Sequence, residues 1–352
     1  MPGCFSTETR LPASASPGDP ARVRIWQIDP SDDAAFGEWF AVYDAAQKHD
    51  QPGGPWWLDR ESRVIHESTD YRDVVLWVAD DEGDVVGAAG LDMPLKDNPR
   101  LATVEIAVRP DRRRRGTGTA LLRILEQEAA EHGRTSLLAG VHGSAPDKPT
   151  AGMLFAERHG FTRRITDIMR VQRPPFQMER LTELEREAQP HAADYKLVTW
   201  HGQIPDEHIG EYARLAGRMS TDVPLGELDY EPELWDVERV RLGEERRIRM
   251  GRDWWCTVAV APDGTLAGMT EIGLAVDSDH SAFQGDTIVD LPHRGHRMGL
   301  LLKIANLRAL LADRPGVQSI WTWNAASNRY MISVNERLGY AKAGWEAMYQ
   351  RD

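Results

Sequence analysis

Two periodicities run through this chain and sort it into strands and helices. Short apolar runs rich in Val, Ile, Leu and Trp predict strands at residues 23–26, 74–79, 85–91, 104–108 and 137–141, and again at 196–200, 256–261, 265–272 and 320–323. Apolar positions on a 3.6-residue period predict helices at 36–48, 206–219 and 331–338, and in a stretch where Leu121, Leu122, Leu125 and Ala129 share one face. The polar, glycine-bearing segments 80–84 and 262–264 join neighbouring strands as hairpins. Each half therefore reads as a strand, one or two helices, two or three antiparallel strands, a turn, a helix, a strand, a helix and a last strand. That order predicts an α+β fold, with a mixed, mostly antiparallel sheet flanked by helices in each half.

The halves are copies of one another. Gly83 and Gly87 recur as Gly264 and Gly268, an offset of 181 residues, and the same offset pairs Glu105 with Asp286, Val108 with Val289, Arg113 with Arg294 and Gly118 with Gly299. Farther on, His159-Gly160-Phe161 is echoed by Leu338-Gly339-Tyr340. A register held across a hairpin, a strand and a turn implies a duplicated fold. A length of 352 residues suits two domains. We place the first at 22–172, a linker at 173–194 where Pro174-Pro175 stops the preceding strand, and the second at 195–352. Residues 1–21, rich in Pro, Ser, Ala and Gly, carry no apolar period and are expected to be a disordered tail.

Composition narrows the partners. A formal charge of −13 argues against nucleic acid, despite four consecutive arginines, and favours a cationic small molecule or peptide. Cys4 and Cys256 make neither a disulfide framework nor a metal quartet, so no metal is expected and the cytoplasm is the expected location. No segment has the length and continuous apolarity of a membrane span or the pattern of a signal peptide. A monomer or homodimer is expected.

The most informative stretch is the strand 104–108 together with the turn at its C-terminal end. Arg112-Arg113-Arg114-Arg115-Gly116-Thr117-Gly118-Thr119 forms a basic, glycine-bearing turn that opens the helix bearing Leu121. Glycines there bring the backbone close to a ligand and adopt φ values a side chain forbids, while the unpaired N–H groups of the first helical turn face a bound anion. The turn lacks the Lys-Ser/Thr of a P-loop and does not come after the first strand, as a dinucleotide-binding turn would. It resembles motif A of the GNAT N-acetyltransferase superfamily, Arg/Gln-x-x-Gly-x-Gly/Ala, met here by Arg113, Gly116 and Gly118. The resemblance, strengthened by the repeat, is to the tandem two-domain actinobacterial type. It implies acetyl-CoA as co-substrate, its pyrophosphate on the turn and its pantetheine arm between two splayed parallel strands. The implied donor contacts are Val108, Arg113, Arg114, Arg115, Gly116, Thr117, Gly118 and Thr119, and in the second copy Val289, Arg294, Gly295, His296, Arg297, Met298 and Gly299.

The second turn departs from the pattern. Arg297 stands where the first glycine belongs, and either crowds the pyrophosphate or adds a charge-assisted contact; turned outward toward phosphate is our expectation. Asn328 occupies a position that in the family often contacts the pantetheine arm, with Pro149 matching it by count in the first half. The family's tyrosine acid is replaced by Asn335 and Ala156, leaving Tyr330 or Tyr340 as substitutes. A protonated amine needs a base, for which Glu105, Asp286 and Glu271 are candidates. Family resemblance puts the acceptor near the segment before the hairpin, where Asp222, Asp229, Glu233 and Trp235 suit a cation. The expected activity is N-acetylation of a small-molecule or peptide amine by direct attack on the thioester. The alternative is a non-catalytic or half-catalytic acyl-CoA-binding regulator.

Overall fold

The computed structural model describes residues 23–144 and 148–352, so the tail and Cys4 lie outside the described residues. The elements run β1 (Arg24–Ile28), α1 (Asp33–Asp50), α2 (Asp59–Ile65), β2 (Arg72–Asp81), β3 (Asp84–Pro94), β4 (Leu101–Val108), α3 (Thr117–Glu131), β5 (Ser136–Gly143), α4 (Ala151–Arg158) and β6 (Thr162–Gln172). They continue with α5 (Met178–Ala188), β7 (Lys196–His201), α6 (Asp206–Gly217), α7 (Met219–Asp222), α8 (Val237–Arg249), β8 (Arg252–Val260), β9 (Leu266–Ala275), β10 (Ala282–Val289), α9 (Met298–Asp313), β11 (Ile320–Ala325), α10 (Arg329–Arg337) and β12 (Ala341–Arg351). Each predicted strand and helix is present.

The chain forms two compact units, and their limits differ from the linear halves. The first unit takes the described residues up to Gly143, those of the next stretch as far as Arg164, and Ala347–Asp352; the second takes Ile165–Glu346. The expected boundary at 172 is therefore corrected to 164. Strand pairing decides it: β6 runs antiparallel to β11 from Gln172 opposite Ile320 to Asp167 opposite Ala325, inside the second unit. The first unit is completed instead by the end of β12, where Gln350 Nε2 donates to Ser136 Oγ at 2.9 Å and Arg351 pairs with Glu126 at 2.6 Å. The expected linker is also corrected. Helix α5 buries Leu181, Leu184 and Ala188, one face of the helix, in the second unit's core.

In the first unit the order is β1-β2-β3-β4-β5, antiparallel until β5, which lies parallel to β4. Strands β4 and β5 pair only at Leu101–Ser136, Ala102–Leu137 and Thr103–Leu138. The second unit repeats this as β7-β8-β9-β10-β11, with β10 and β11 paired only at Ala282–Ile320 and Phe283–Trp321. Beyond those short ladders each pair of parallel strands carries no further pairing, which is the splay the family resemblance implied. Helix α1 covers the first sheet with Phe36, Trp39, Val42 and Ala46, and the Trp39 indole donates to the Ala89 carbonyl at 2.9 Å. On α3 the predicted apolar face, Leu121, Leu122, Leu125 and Ala129, is buried.

The glycine echo has a packing cause. A Cβ on Gly268 would stand 2.6 Å from the Ile288 carbonyl oxygen of the neighbouring strand, and one on Gly87 would stand 2.9 Å from the Thr117 and Leu121 side chains of α3, so both positions are too close-packed for a side chain without rearrangement.

The strand ladders of the two copies diverge beside the splay. Strands β3 and β4 pair without interruption from Gly87–Val108 to Asp92–Thr103. Between β9 and β10 the register shifts: Gln284 faces Ile272 and Thr287 faces Thr270, leaving Gly285 and Asp286 opposite Glu271 alone. This is a β-bulge, a device that kinks a strand and re-aims a side chain.

Candidate active site

Both motif turns are built the same way, and the motif arginine is part of the frame. Arg113 Nε donates to the Val108 carbonyl at 3.1 Å and its two Nη atoms to Asp50 at 2.6 and 2.8 Å. Arg294 Nε donates to the Val289 carbonyl at 3.0 Å and Nη2 to Asp222 at 3.0 Å. In the first unit the left-handed residues are Arg114 (φ 65°) and Gly116 (φ 91°); in the second they are Gly295 (φ 91°) and Arg297 (φ 55°). Glycine and arginine have exchanged places, so each turn carries one strained side chain, worth about 1–2 kcal/mol. The expectation that Gly118 supplies a forbidden φ is corrected: it is an ordinary helical residue whose missing Cβ leaves room for the Phe155 ring, 3.3 Å from where that atom would lie.

Neither α3 nor α9 has a side-chain N-cap, so the amides of their first turns stay available to an anion. The side chains around them differ. Arg114 and Arg115 are exposed and form no ion pair among the described residues, while Thr119 lies 3.2 Å from His159 Nε2. In the second unit His296 Nδ1 meets the His191 carbonyl at 2.8 Å and Arg297 pairs with Glu187 at 2.5 Å, which also holds Arg337 at 2.7 Å. Arg297 thus points at α5. Thr117 and Met298 are buried and present backbone only.

Several acceptor-side candidates are engaged elsewhere. Asp222, 6% exposed, is the counter-ion of Arg294 and Arg218. Glu233 accepts from Tyr230 at 2.5 Å and from the Trp235 indole at 2.7 Å, and Trp235 lies under Arg239. Asp229 is exposed. Asn328 caps α10 by accepting from Met331 N at 3.1 Å; Thr150 caps α4 in the same way at 3.2 Å, so Thr150 replaces Pro149 as its counterpart. Asn335 is fully buried against Asn324. Tyr340 is buried and burial pushes its phenol up, whereas Tyr330 is exposed beside Gly299.

The three candidate bases fall into two clusters. Glu105 on β4 lies 2.9 Å from His66 Nε2, and His66 Nδ1 donates to the Ser62 carbonyl at 2.7 Å, an arrangement that needs both ring nitrogens protonated. Burial lowers the proton affinity of His66, but the Glu105 hydrogen bond and charge outweigh it, and its pKa is raised. Burial likewise opposes ionisation of Glu105, yet His66 and a hydrogen bond from Tyr43 keep it ionised. In the second unit Glu271 takes 3.0 and 2.7 Å bonds from Arg247 and a 2.5 Å bond from the Tyr212 hydroxyl. Against the effect of burial, the Arg247 charge and these bonds hold its carboxyl low. Asp286 reaches solvent beside them yet is closely surrounded by protein, forms no hydrogen bond or ion pair among the described residues, and is pushed up to about 6 by this partial desolvation and then by the Glu271 charge.

Sequence reasoning missed Tyr43, Asp50, His66, Tyr212 and Arg247. The last had a signal: Val240, Glu244 and Arg247 recur at i, i+4 and i+7 in a segment too charged to read as a packed helix.

The acetyltransferase (GNAT) family model matches residues 38–161. A mycothiol acetyltransferase of Stackebrandtia nassauensis is 38% identical over 288 residues, covering 78% of this chain and 82% of the relative. Another, of Thermomonospora curvata, is 27% identical over 273 residues, covering 77% and 80%. A tandem GNAT protein from the clavulanic acid biosynthesis pathway, solved without AcCoA, superposes with a TM-score of 0.77 at 29% identity, covering 94% of this chain and 98% of that one. Two splayed sheets, two uncapped motif turns and relatives aligned across both lead to one conclusion: the chain belongs to the acetyltransferase (GNAT) family in its tandem form, with acetyl-CoA as donor.

Proposed function

We propose that acetyl transfer takes place in the second unit, from acetyl-CoA to a small-molecule primary amine that arrives as an ammonium, with Asp286 as general base. The observation that carries this is the bulge at Gly285 and Asp286, which the first unit lacks. A bulge frees a backbone N–H from the ladder at the mouth of the splay, where it can donate to the thioester carbonyl and stabilise the oxyanion as attack proceeds. It also turns out Asp286, a carboxylate with proton affinity near neutrality and no internal partner. The ammonium gives one proton to Asp286, the amine nitrogen bonds to the carbonyl carbon, and the C–S bond breaks to release the thiolate of CoA while the nitrogen loses its second surplus proton to solvent, leaving the neutral amide. Mycothiol acetyltransferase relatives support a small-molecule acceptor.

The uninterrupted β3–β4 ladder and the uncommitted Arg114 and Arg115 favour a donor-binding, non-transferring role for the first unit. Thiol release with acetyl-CoA and a panel of small amines tests the assignment. Asp286→Asn is expected to lower kcat at least 100-fold, and Glu105→Gln less than 5-fold. The reverse order would move catalysis to the first unit.

A further inference from the structure

Glu271 and Asp286 share the face of the bulge, but only one of them can titrate. Glu271 is 8% exposed and its oxygens are taken by the two Nη atoms of Arg247 and the hydroxyl of Tyr212. Protonating it would strand the guanidinium, so the Glu271 carboxylate stays ionised, its charge offset in part by Arg247. Its side chain passes close to the bulge: a Cβ on Gly285 would lie 3.9 Å from Glu271 Oε2. The bulge residues therefore stand directly against the Glu271 side chain, in ordinary van der Waals range.

We propose that Glu271, held by Arg247 of α8 and Tyr212 of α6, is a fixed negative charge that makes its bulge neighbour Asp286 the group that takes the acceptor's proton. Glu271 is then a positioning residue, acting through Asp286 without touching the amine nitrogen. This deepens the reading of Asp286 as base and depends on it.

The charged groups facing Asp286 come from every element around it. Glu271 of β9 and Glu233 of the segment before α8 favour its protonated form, and Arg247 of α8 opposes them; Tyr212 faces Glu271 as a neutral donor. Glu233 is itself bonded to Tyr230 and Trp235, and lies 3.7 Å from Arg239. Glu271 and Glu233 are thus each matched by an arginine, so the charge left for a cationic acceptor at the bulge is that of Asp286 itself. The first unit shows the contrast. There the carboxylate is Glu105, on β4, the counterpart of the strand that carries the bulge in the second unit, and its cationic partner is the titratable His66 in place of a permanent arginine.

The test is the pH profile of kcat/KM with a small diamine acceptor in the full-length protein. The parent should show an acid limb near pH 6 that Asp286→Asn removes. Glu271→Gln should move the limb down by about one pH unit, the order of the interaction between neighbouring carboxylates at partial burial, while Glu271→Asp, which keeps the charge, should leave it within about 0.3 unit. Because Glu271→Gln leaves Arg247 unpaired, the double variant Glu271→Gln/Arg247→Met serves if the single one does not fold. It should still shift the limb downward, by less. A limb unmoved in these variants but abolished by Asp286→Asn overturns this inference alone. A limb that survives Asp286→Asn overturns the base assignment and the inference with it.

Discussion

Lys303 puts a charge where the repeat puts a leucine. Its counterpart 181 residues earlier is Leu122, a core residue of α3, and Lys303 is itself 2% exposed on α9. Burial drives its amine down to about 7, and the Tyr340 ring 5.5 Å away offsets only part of that cost. The folded state thus disfavours the proton that the unfolded chain holds up to pH 10.5, so the destabilisation from Lys303 is full below about pH 7 and fades through the interval from 7 to 10.5. Lys303→Leu should stabilise the second unit by roughly 2–4 kcal/mol at pH 7 and by about 1 kcal/mol at pH 9.5. Denaturant melts at the two pH values check this, and an equal gain at both would refute the neutral amine.

At the scale of elements, each motif turn is tied to a helix end on the acceptor side: Asp50 closes α1 and Asp222 closes α7. The bidentate Asp50–Arg113 pair holds the turn's shape before the donor arrives. Asp50→Asn should weaken acetyl-CoA binding to the first unit about 3- to 10-fold and leave the second untouched, and Asp222→Asn should do the reverse. Calorimetric titration resolves the two sites, and equal weakening of both by either variant would refute a local clamp. The turns were legible in the sequence because glycine and arginine at fixed spacing report local backbone geometry. The apolar faces of α1 and α3 were legible because burial writes a period. The bulge was not, since Gln284-Gly285-Asp286-Thr287 differs from an ordinary strand by one residue whose excess shows only against a partner strand. Nor were the partners of the carboxylates. Asp222 and Glu233 looked like acceptor ligands because their commitments to Arg294, Tyr230 and Trp235 are tertiary and leave no pattern along the chain.

Over the whole molecule the linear halves and the folded units do not coincide. The first unit borrows Ala347–Asp352, and those residues are bound by specific contacts: Gln350 to Ser136, Arg351 to Glu126 and the His159 carbonyl, and Ser136 to Asp352. Ending the chain after Glu346 should therefore loosen a unit whose other residues all precede Ser144 or lie before Ile165. Hydrogen exchange in β4 and β5 should rise by at least tenfold, with β8 and β9 much less affected. Equal loss in both units would mean that the last strand supports the molecule generally. The same borrowing sets a timetable for synthesis. Strand β5 emerges from the ribosome roughly 200 residues ahead of the segment that flanks it, a wait of roughly 10–40 s at about 5–20 residues per second. Throughout that interval its unpaired edge is a template for any passing strand, which makes the nascent first half the stage most exposed to mispairing.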